Sequence, residues 1–99
     1  MYKIEYLETA LDDIKEIVLY ISNNLSNPKA AYTLAEKIVE KADTLSTFPY
    51  GRPVYNPIRQ LEHEYRTIFI DNYTLFYWIE EENKKVIIAR VIYSKRDLE

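Results

Sequence analysis

The hydrophobic pattern of this chain changes its period once along the sequence, and that change restricts the possible folds more than any other feature. Between residues 10 and 45, apolar residues recur about every 3.6 positions, which is the spacing of an amphipathic helix. From residue 64 onward, apolar and polar residues largely alternate, as they do in half-buried strands. A helical part followed by a strand part predicts an α+β fold, in which helices cover a sheet.

The first part of the chain is predicted to contain a strand and a helix. Residues 2–7 alternate and are predicted to form the first strand. Thr9 is predicted to cap the first helix, because its hydroxyl can accept a hydrogen bond from a free N–H of the first turn. The apolar stripe of this helix lies at residues 10, 14, 17, 18, 21 and 25, and Asn23-Asn24 is predicted to end it.

A second helix is predicted to start at Asn27 and Pro28, with asparagine as the cap and proline in the first helical position. Phe48-Pro49 is predicted to end it, since proline cannot continue a helix. The connection between the helices is short, which predicts an antiparallel helical hairpin. The apolar stripe of the second helix consists of Ala31, Leu34, Ala35, Ile38, Ala42 and Leu45.

Three further strands are predicted in the second half, at residues 64–70, 73–80 and 85–93. Asp71-Asn72 predicts a tight turn between the first two, because both residue types tolerate positive φ. Glu81-Glu82-Asn83 predicts the next turn. The element order is therefore β-α-α-β-β-β, and the fold is predicted to be α+β, with the helical hairpin packed on one face of a mainly antiparallel sheet.

A long loop at residues 49–62 joins the helical part to the strand part, and its length makes it a candidate for function. The chain has 99 residues, which is the size of one domain, so residues 1–99 are predicted to form a single domain. The core of a domain this small is thin, and a partner could contribute much of its stability.

The composition argues against several classes of site. There is no cysteine, which excludes disulfides and thiolate metal sites and fits a cytoplasmic protein. The only histidine, His63, lies between Glu62 and Glu64 and is interpreted as a surface residue rather than a metal ligand. A single glycine cannot build a phosphate-binding loop, and no apolar run is long enough for a membrane helix. We therefore predict no metal, no small-molecule cofactor and no membrane contact.

The charges are unevenly distributed. The net charge of −3 argues against nonspecific nucleic-acid binding, which needs a basic surface. Residues 1–48 contain five lysines and eight acids, hence −3, whereas residues 49–99 contain eight basic and eight acidic residues, hence zero. All five arginines lie in the second half. Arginine is suited to planar contact with phosphate or carboxylate groups, but any single one of these arginines is better interpreted as an ordinary solubilising surface residue.

Several segments, taken in order, resemble the RelE/ParE family of toxins. The resemblance covers nearly the whole chain, and it is the ordered set on the predicted helices, loop and strands that makes it specific. The segments are Asp12-Asp13-Ile14 through Tyr20-Ile21, Asn27-Pro28-Lys29-Ala30-Ala31, Phe48-Pro49-Tyr50-Gly51-Arg52, Tyr65-Arg66, Asp71-Asn72-Tyr73-Thr74-Leu75-Phe76-Tyr77, and Val86-Ile87-Ile88-Ala89-Arg90-Val91-Ile92-Tyr93-Ser94-Lys95-Arg96-Asp97.

The resemblance implies a growth-inhibiting toxin of a type II toxin–antitoxin, plasmid stabilisation-type module, neutralised by a cognate antitoxin that wraps around it. Two activities occur on this fold, so the fold alone does not choose between them. RelE-like members cut messenger RNA in the ribosomal A site. ParE-like members act on DNA gyrase.

If the chain is a nuclease, the resemblance points to Arg66, Arg90 and Tyr93 as catalytic residues on the sheet. Cleavage through the 2′-hydroxyl needs a group that removes its proton, a cation on the phosphate and a group that protonates the leaving oxygen. By strand alternation, Arg66 shares a face with Ile68 and Ile70, and Arg90 shares one with Ile88 and Ile92. The alternative is that each arginine forms a salt bridge or extends to water at a sheet edge.

The sequence departs from the nuclease pattern at two positions. Thr74 stands where RelE-like members usually have an arginine, and Ile68 where they often have a second basic residue. The acidic pI of about 5.2 also fits poorly with docking on ribosomal RNA. The ParE-like branch is therefore favoured, with Arg90, Lys95 and Arg96 as the target-binding surface.

Three hypotheses remain open from the sequence. The first is a ParE-like inhibitor of DNA gyrase, which acts by protein–protein contact and is not an enzyme. The second is a RelE-like, ribosome-dependent and metal-independent mRNA endoribonuclease. The third is a decayed toxin that retains only antitoxin binding, which the short C-terminus also favours. No role is assigned to Leu98-Glu99.

Overall fold

The computed structural model of the protein describes residues 1–57 and 61–94. Its helices and strands follow the predicted order, and each strand lies within two residues of its predicted bounds. They are strand β1 (Lys3–Tyr6), helix α1 (Glu8–Leu19), helix α2 (Pro28–Thr44), and strands β2 (Arg66–Ile70), β3 (Tyr73–Glu80) and β4 (Lys85–Tyr93). A π-helical turn at Tyr20–Asn24 extends α1. No helix in the described ranges is long and apolar enough to cross a membrane.

The four strands form one mixed sheet in the order β1-β4-β3-β2. β1 runs parallel to β4, whereas β4, β3 and β2 are antiparallel to their neighbours. The parallel pairing follows from the helical hairpin, because the chain leaves one edge of the sheet after β1 and returns to the other edge at β2. The predicted α+β fold with a mainly antiparallel sheet is thus confirmed.

The core lies between the helical hairpin and one face of the sheet. Register places Ile68, Leu75, Tyr77 and Ile88 on a common face, and each is at most 2% exposed. They pack in one cluster with four residues of the predicted α2 stripe, Leu34, Ile38, Ala42 and Leu45. Ala31 of the same stripe is also buried. Burial of these apolar side chains is the main force that holds the helices on the sheet.

The start of α1 differs from the prediction. The helix begins at Glu8, and its N-cap, Leu7, makes no side-chain capping bond. Thr9 lies inside the first turn, where its hydroxyl donates to the carbonyl of Ala89 at 2.8 Å. The prediction of Thr9 as the cap was therefore wrong, because a distant strand carbonyl uses this hydroxyl. The cap of α2 is confirmed, since Asn27 Oδ1 accepts from the N–H of Ala30 at 3.1 Å.

A β-bulge interrupts the pairing of β3 with β4. Tyr77 pairs with Ile88, but the preceding residue, Phe76, pairs with Arg90, which leaves Ala89 as the additional residue. A single extra residue moves every later side chain to the opposite face. The prediction that Arg90 shares a face with Ile88 was therefore wrong, because simple alternation does not hold across the bulge.

The long loop is tied to the sheet. Val54 forms an isolated bridge with Arg66, and the N–H of Tyr55 donates to the carbonyl of Tyr65 at 2.8 Å. The ring of Tyr55 packs edge-on against Phe76, with ring centroids 5.1 Å apart. Phe76 lies on the sheet face away from the helices and is still only 4% exposed. This part of the loop therefore acts as a cover for the second face.

Candidate functional site

A groove of about 960 Å³ lies between the tip of the helical hairpin and the end of the sheet where β3 begins and β4 ends. Residues from both helices, from the π-helical turn and from two strands meet there. Its wall includes Tyr20, Leu25, Leu34, Tyr73, Arg90 and Tyr93. The groove combines aromatic surface with charged groups, which is typical of protein interfaces.

An ion pair between Arg90 and Asp13 lies in the wall of this groove. Arg90 Nε donates to Asp13 Oδ2 at 2.7 Å, and its Nη2 donates to Oδ1 at 3.0 Å. This is a two-point fork, which is the strongest arrangement of arginine with carboxylate. The hydrogen bonds that Arg90 donates to Asp13 raise the pKa of Arg90 above its usual value, although partial burial opposes the shift.

Asp13 also completes the edge of β4. β1 ends at Tyr6, which is opposite Ile88, so β4 has no neighbouring strand on that side beyond this point. The N–H of Val91 instead donates to Asp13 Oδ2 at 2.9 Å. Residue Asp13 as a whole is 8% exposed, and the bonds that its carboxylate accepts from Arg90 and Val91 offset the cost of burying its charge.

Tyr93 lies at the same end of the groove. Its ring packs edge-on against Tyr73, with ring centroids 5.7 Å apart. Tyr93 is 41% exposed. Thr74, the residue that replaces the arginine of the nuclease pattern, is buried on the other face of the sheet and shares a hydrogen bond with Ser94 at 3.0 Å. Arg90 and Tyr93, two of the three predicted catalytic residues, therefore share the groove.

Arg66, the third of these residues, lies elsewhere. It does share a face with Ile68 and Ile70, as predicted. Its Nη1 donates to the carbonyl of Arg52 at 2.7 Å, its Nη2 lies 3.5 Å from Glu64, and its guanidinium stands 5.2 Å from the ring centre of Tyr50. Arg66 thus connects the long loop to β2, beside a separate small cavity of about 150 Å³.

Two clusters in the structure were not predicted. His63, interpreted from the sequence as a surface residue, is partly exposed and stacks on Trp78, with the ring centroids 3.8 Å apart and the planes nearly parallel. Glu81 accepts hydrogen bonds from the hydroxyls of Tyr2 at 2.7 Å and Tyr50 at 2.6 Å, and it also binds Lys84. These bonds lower the pKa of Glu81 to about 2. No local sequence pattern predicts such contacts between distant segments.

The remaining predictions concern the C-terminal residues and the absence of a metal site. Lys95 and Arg96, from the predicted target-binding surface, and Leu98-Glu99 lie outside the described residues. Within residues 1–57 and 61–94, no group of three or more His, Asp or Glu side chains is arranged to hold a metal ion.

Sequence comparison assigns the family. The profile described as "ParE toxin of type II toxin-antitoxin system, parDE" matches residues 4–98, which is nearly the whole chain. The chain belongs to this family. It is a toxin of a type II toxin–antitoxin system. No curated protein sequence matches this toxin.

Solved structures support the same fold. The toxin is similar to a chain of the chromosomal ParDE system from P. aeruginosa, with a TM-score of 0.74 and 18% identity over 94% of this chain and 96% of that one. It is also similar to a chain of the RelBE2 toxin–antitoxin complex from Mycobacterium tuberculosis, with a TM-score of 0.63 and 25% identity over 93% and 96%. A chain of the E. coli RelBE complex gives a TM-score of 0.64 and 20% identity over 97% and 100%.

Proposed function

We propose that this toxin is a ParE-like inhibitor of DNA gyrase that acts by protein–protein contact and is held inactive by a cognate antitoxin. The observation that carries the proposal is the separation of Arg66 from Arg90. Each arginine is bound in its own place, Arg90 to Asp13 in the groove and Arg66 to loop carbonyls beside β2. Both would be needed together in a RelE-like nuclease site.

The chemistry of RNA cleavage explains why this separation matters. A nuclease must place a cation against the phosphate and acid–base groups on either side of the scissile bond, all within hydrogen-bond reach of one substrate. Arg90 already directs two of its nitrogens to a carboxylate, and Thr74 replaces a cation with a buried hydroxyl. These features favour a binding surface over a catalytic one.

The proposed target-binding surface comprises Arg90, Lys95 and Arg96. It follows β4 to its end at Tyr93 and continues beyond it, so an arginine in the groove and two later basic residues would belong to one stretch of chain. Charges of this kind guide a protein to an acidic partner surface and fix its orientation there. In this proposal the toxin needs no metal and no cofactor.

We further propose that the antitoxin covers the groove. The ParDE and RelBE relatives are described as toxin–antitoxin systems or complexes. The groove offers partly exposed apolar side chains, such as Tyr20 and Leu25, next to the acidic groups of Glu16 and Asp71. An amphipathic antitoxin segment with apolar and basic residues complements this surface. Coverage of Arg90 by the same segment would block target binding.

The proposal is tested by inducing the toxin without antitoxin, mapping messenger RNA 5′ ends in the arrested cells and assaying purified gyrase for supercoiling. We expect growth arrest, intact messages and inhibited supercoiling. New codon-positioned cuts on translated messages would instead establish the ribosome-dependent nuclease. The absence of any arrest would support the decayed toxin. Cells that also produce the antitoxin are the control, and they should continue to grow.

The target-binding surface has its own test. The changes Lys95→Glu and Arg96→Glu reverse two of its charges, and we expect the doubly changed toxin to inhibit gyrase at least about tenfold less, in keeping with the loss of two charged contacts. Lys3→Glu is a control charge reversal, because Lys3 pairs with Lys85 at the end of β4 away from Tyr93, and it should inhibit like the parent. Full inhibition by the doubly changed toxin would show that the surface lies elsewhere.

A further inference from the structure

We infer that Asp13 is a positioning residue that holds Arg90 in the orientation needed to contact the toxin's target. The inference rests on the proposed function, in which Arg90 belongs to the target-binding surface. Asp13 is on α1 and Arg90 is on β4, so the pair connects two elements whose relative position the core already fixes.

The geometry restricts Arg90 to one orientation. Two hydrogen bonds from the same guanidinium plane to the two oxygens of one carboxylate fix that plane as well as its position. A lysine could make only a single, freely rotating contact with Asp13. The Arg90 side chain remains 39% exposed and lines the groove, although one edge of its guanidinium is bound to Asp13.

Asp13 is itself held more firmly than the acids of other ion pairs. Its side chain is 10% exposed, whereas the acids of the other four ion pairs within residues 1–57 and 61–94 are between 47% and 69% exposed. The third bond, from the N–H of Val91, ties the carboxylate to the backbone of the strand that carries Arg90. The pair therefore does not depend on two flexible surface side chains meeting.

If Asp13 served only to complete the strand edge, an asparagine at this position would be sufficient. The N–H of Val91 requires one acceptor, and an asparagine at position 13 would supply it with its carbonyl oxygen. The fork with Arg90 requires two acceptor oxygens, which only a carboxylate offers. Asp13→Asn therefore separates the two roles, because it can keep the bond that closes the strand edge and must lose half of the fork.

The experiment compares the parent with Asp13→Asn, Arg90→Ala and the double variant. Asp12→Asn makes the same chemical change at the preceding, exposed position of α1 and serves as the matched control. Each variant is measured for growth arrest without antitoxin, for inhibition of purified gyrase and for its melting temperature. The NMR signal of Arg90 Nη2–H reports the second half of the fork, because this group donates to Asp13 Oδ1, whereas Nε–H and the N–H of Val91 both donate to Oδ2.

Positioning makes a distinct set of predictions. Asp13→Asn should weaken gyrase inhibition and growth arrest at least about tenfold, in folded protein, and should speed the exchange of Arg90 Nη2–H, whose acceptor Oδ1 is replaced by an amide nitrogen. Arg90→Ala should weaken both to a similar degree, and the double variant should be no weaker than Arg90→Ala, since two changes in one unit do not add. Asp12→Asn should behave as the parent does.

Three outcomes would overturn the inference. One is an Asp13→Asn variant that is folded and as potent as the parent. Another is a double variant whose losses add, which would mean that Asp13 and Arg90 act independently. The third is a fully potent Arg90→Ala, which would leave no function for Asp13 to position and would still leave gyrase inhibition by the parent intact. A parent toxin that arrests growth without inhibiting gyrase would contradict the proposed function alone, because the growth readout would still test the coupling.

Discussion

At the residue scale, Tyr77 shows how a single hydroxyl joins the loop to the core. The side chain is fully buried, and its hydroxyl donates to the carbonyl of Pro49 at 2.6 Å. Burial raises the pKa of Tyr77 to about 12, so the hydroxyl stays protonated and remains a donor at any physiological pH. The sequence shows Tyr77 as an inward-facing strand residue, but it does not show that the loop supplies an acceptor.

Tyr77→Phe is expected to lower the free energy of unfolding by about 1–2 kcal/mol. The ring still fills its place, but the carbonyl of Pro49 is left without its donor, and an unsatisfied buried acceptor costs about this much. Urea denaturation of the two proteins measures the difference. Tyr32→Phe, which removes a hydroxyl from a side chain that is 66% exposed, should change stability little. An equal loss in both variants would contradict the assignment.

Glu81 makes stability depend on pH. Its folded-state pKa is about 2, below its usual value of 4.5, because Lys84, Tyr50 and Tyr2 bind the ionised carboxylate. A depressed carboxyl pKa contributes stability that is fully present above pH 4.5 and is lost as the pH falls toward 2. The parent should therefore melt at a higher temperature than Glu81→Gln at pH 7, and the difference should vanish near pH 2.

The matched control for this prediction is Glu82→Gln, which removes a carboxylate from the next position of the same turn. Glu82 is exposed and lies outside the cluster around Glu81. Its substitution should give a melting temperature close to that of the parent at both pH values. A gap between parent and Glu81→Gln that stays constant from pH 7 to pH 2 would show that the carboxylate charge is not what stabilises the cluster.

At the element scale, strands and helices were predictable because their signals are local. The alternation of β2, β3 and β4 and the apolar stripe of α2 are all read within a few neighbouring residues. The bulge at Ala89 was not predictable, because the extra residue is stabilised by the distant hydroxyl of Thr9. For the same reason the separation of Arg66 from Arg90 required the register. The grouping of Arg90 with Tyr93 required the shape of the groove, because the two residues lie on opposite faces of β4.

The start of α2 carries a prediction about helix stability. Asn27→Ala removes the side-chain oxygen that accepts from the N–H of Ala30. Loss of such a cap costs about 1 kcal/mol, because a free N–H at the helix start loses its partner. The change in midpoint of urea denaturation measures the loss. Asn27→Asp retains the acceptor and should match the parent, whereas equal losses for both variants would rule out capping as the cause.

At the scale of the whole molecule, one helical layer lies on one sheet, and the shortest dimension is 21 Å. The groove lies between the tip of the helical hairpin and the end of the sheet. At the tip, the chain passes through the π-helical turn Tyr20–Asn24 and through Ser26, whose φ of 50° is unfavourable for a residue other than glycine. A partner that fills the groove would therefore stabilise the tip of the helical hairpin.

If the antitoxin covers the groove, its binding is expected to slow amide hydrogen exchange most strongly at residues 20–27, and less at β1, which does not line the groove. A ligand that binds only the folded state adds stability by mass action, about 4 kcal/mol at a thousandfold excess over its dissociation constant.

Leu25→Asp places a charge on the apolar wall of the groove and should weaken antitoxin binding at least about tenfold. Val39→Asp, on the similarly exposed part of α2 outside the groove, should leave it unchanged. Because both variants add one carboxylate to an exposed helical-hairpin position, equal weakening would mean that net charge, rather than the groove, governs the complex.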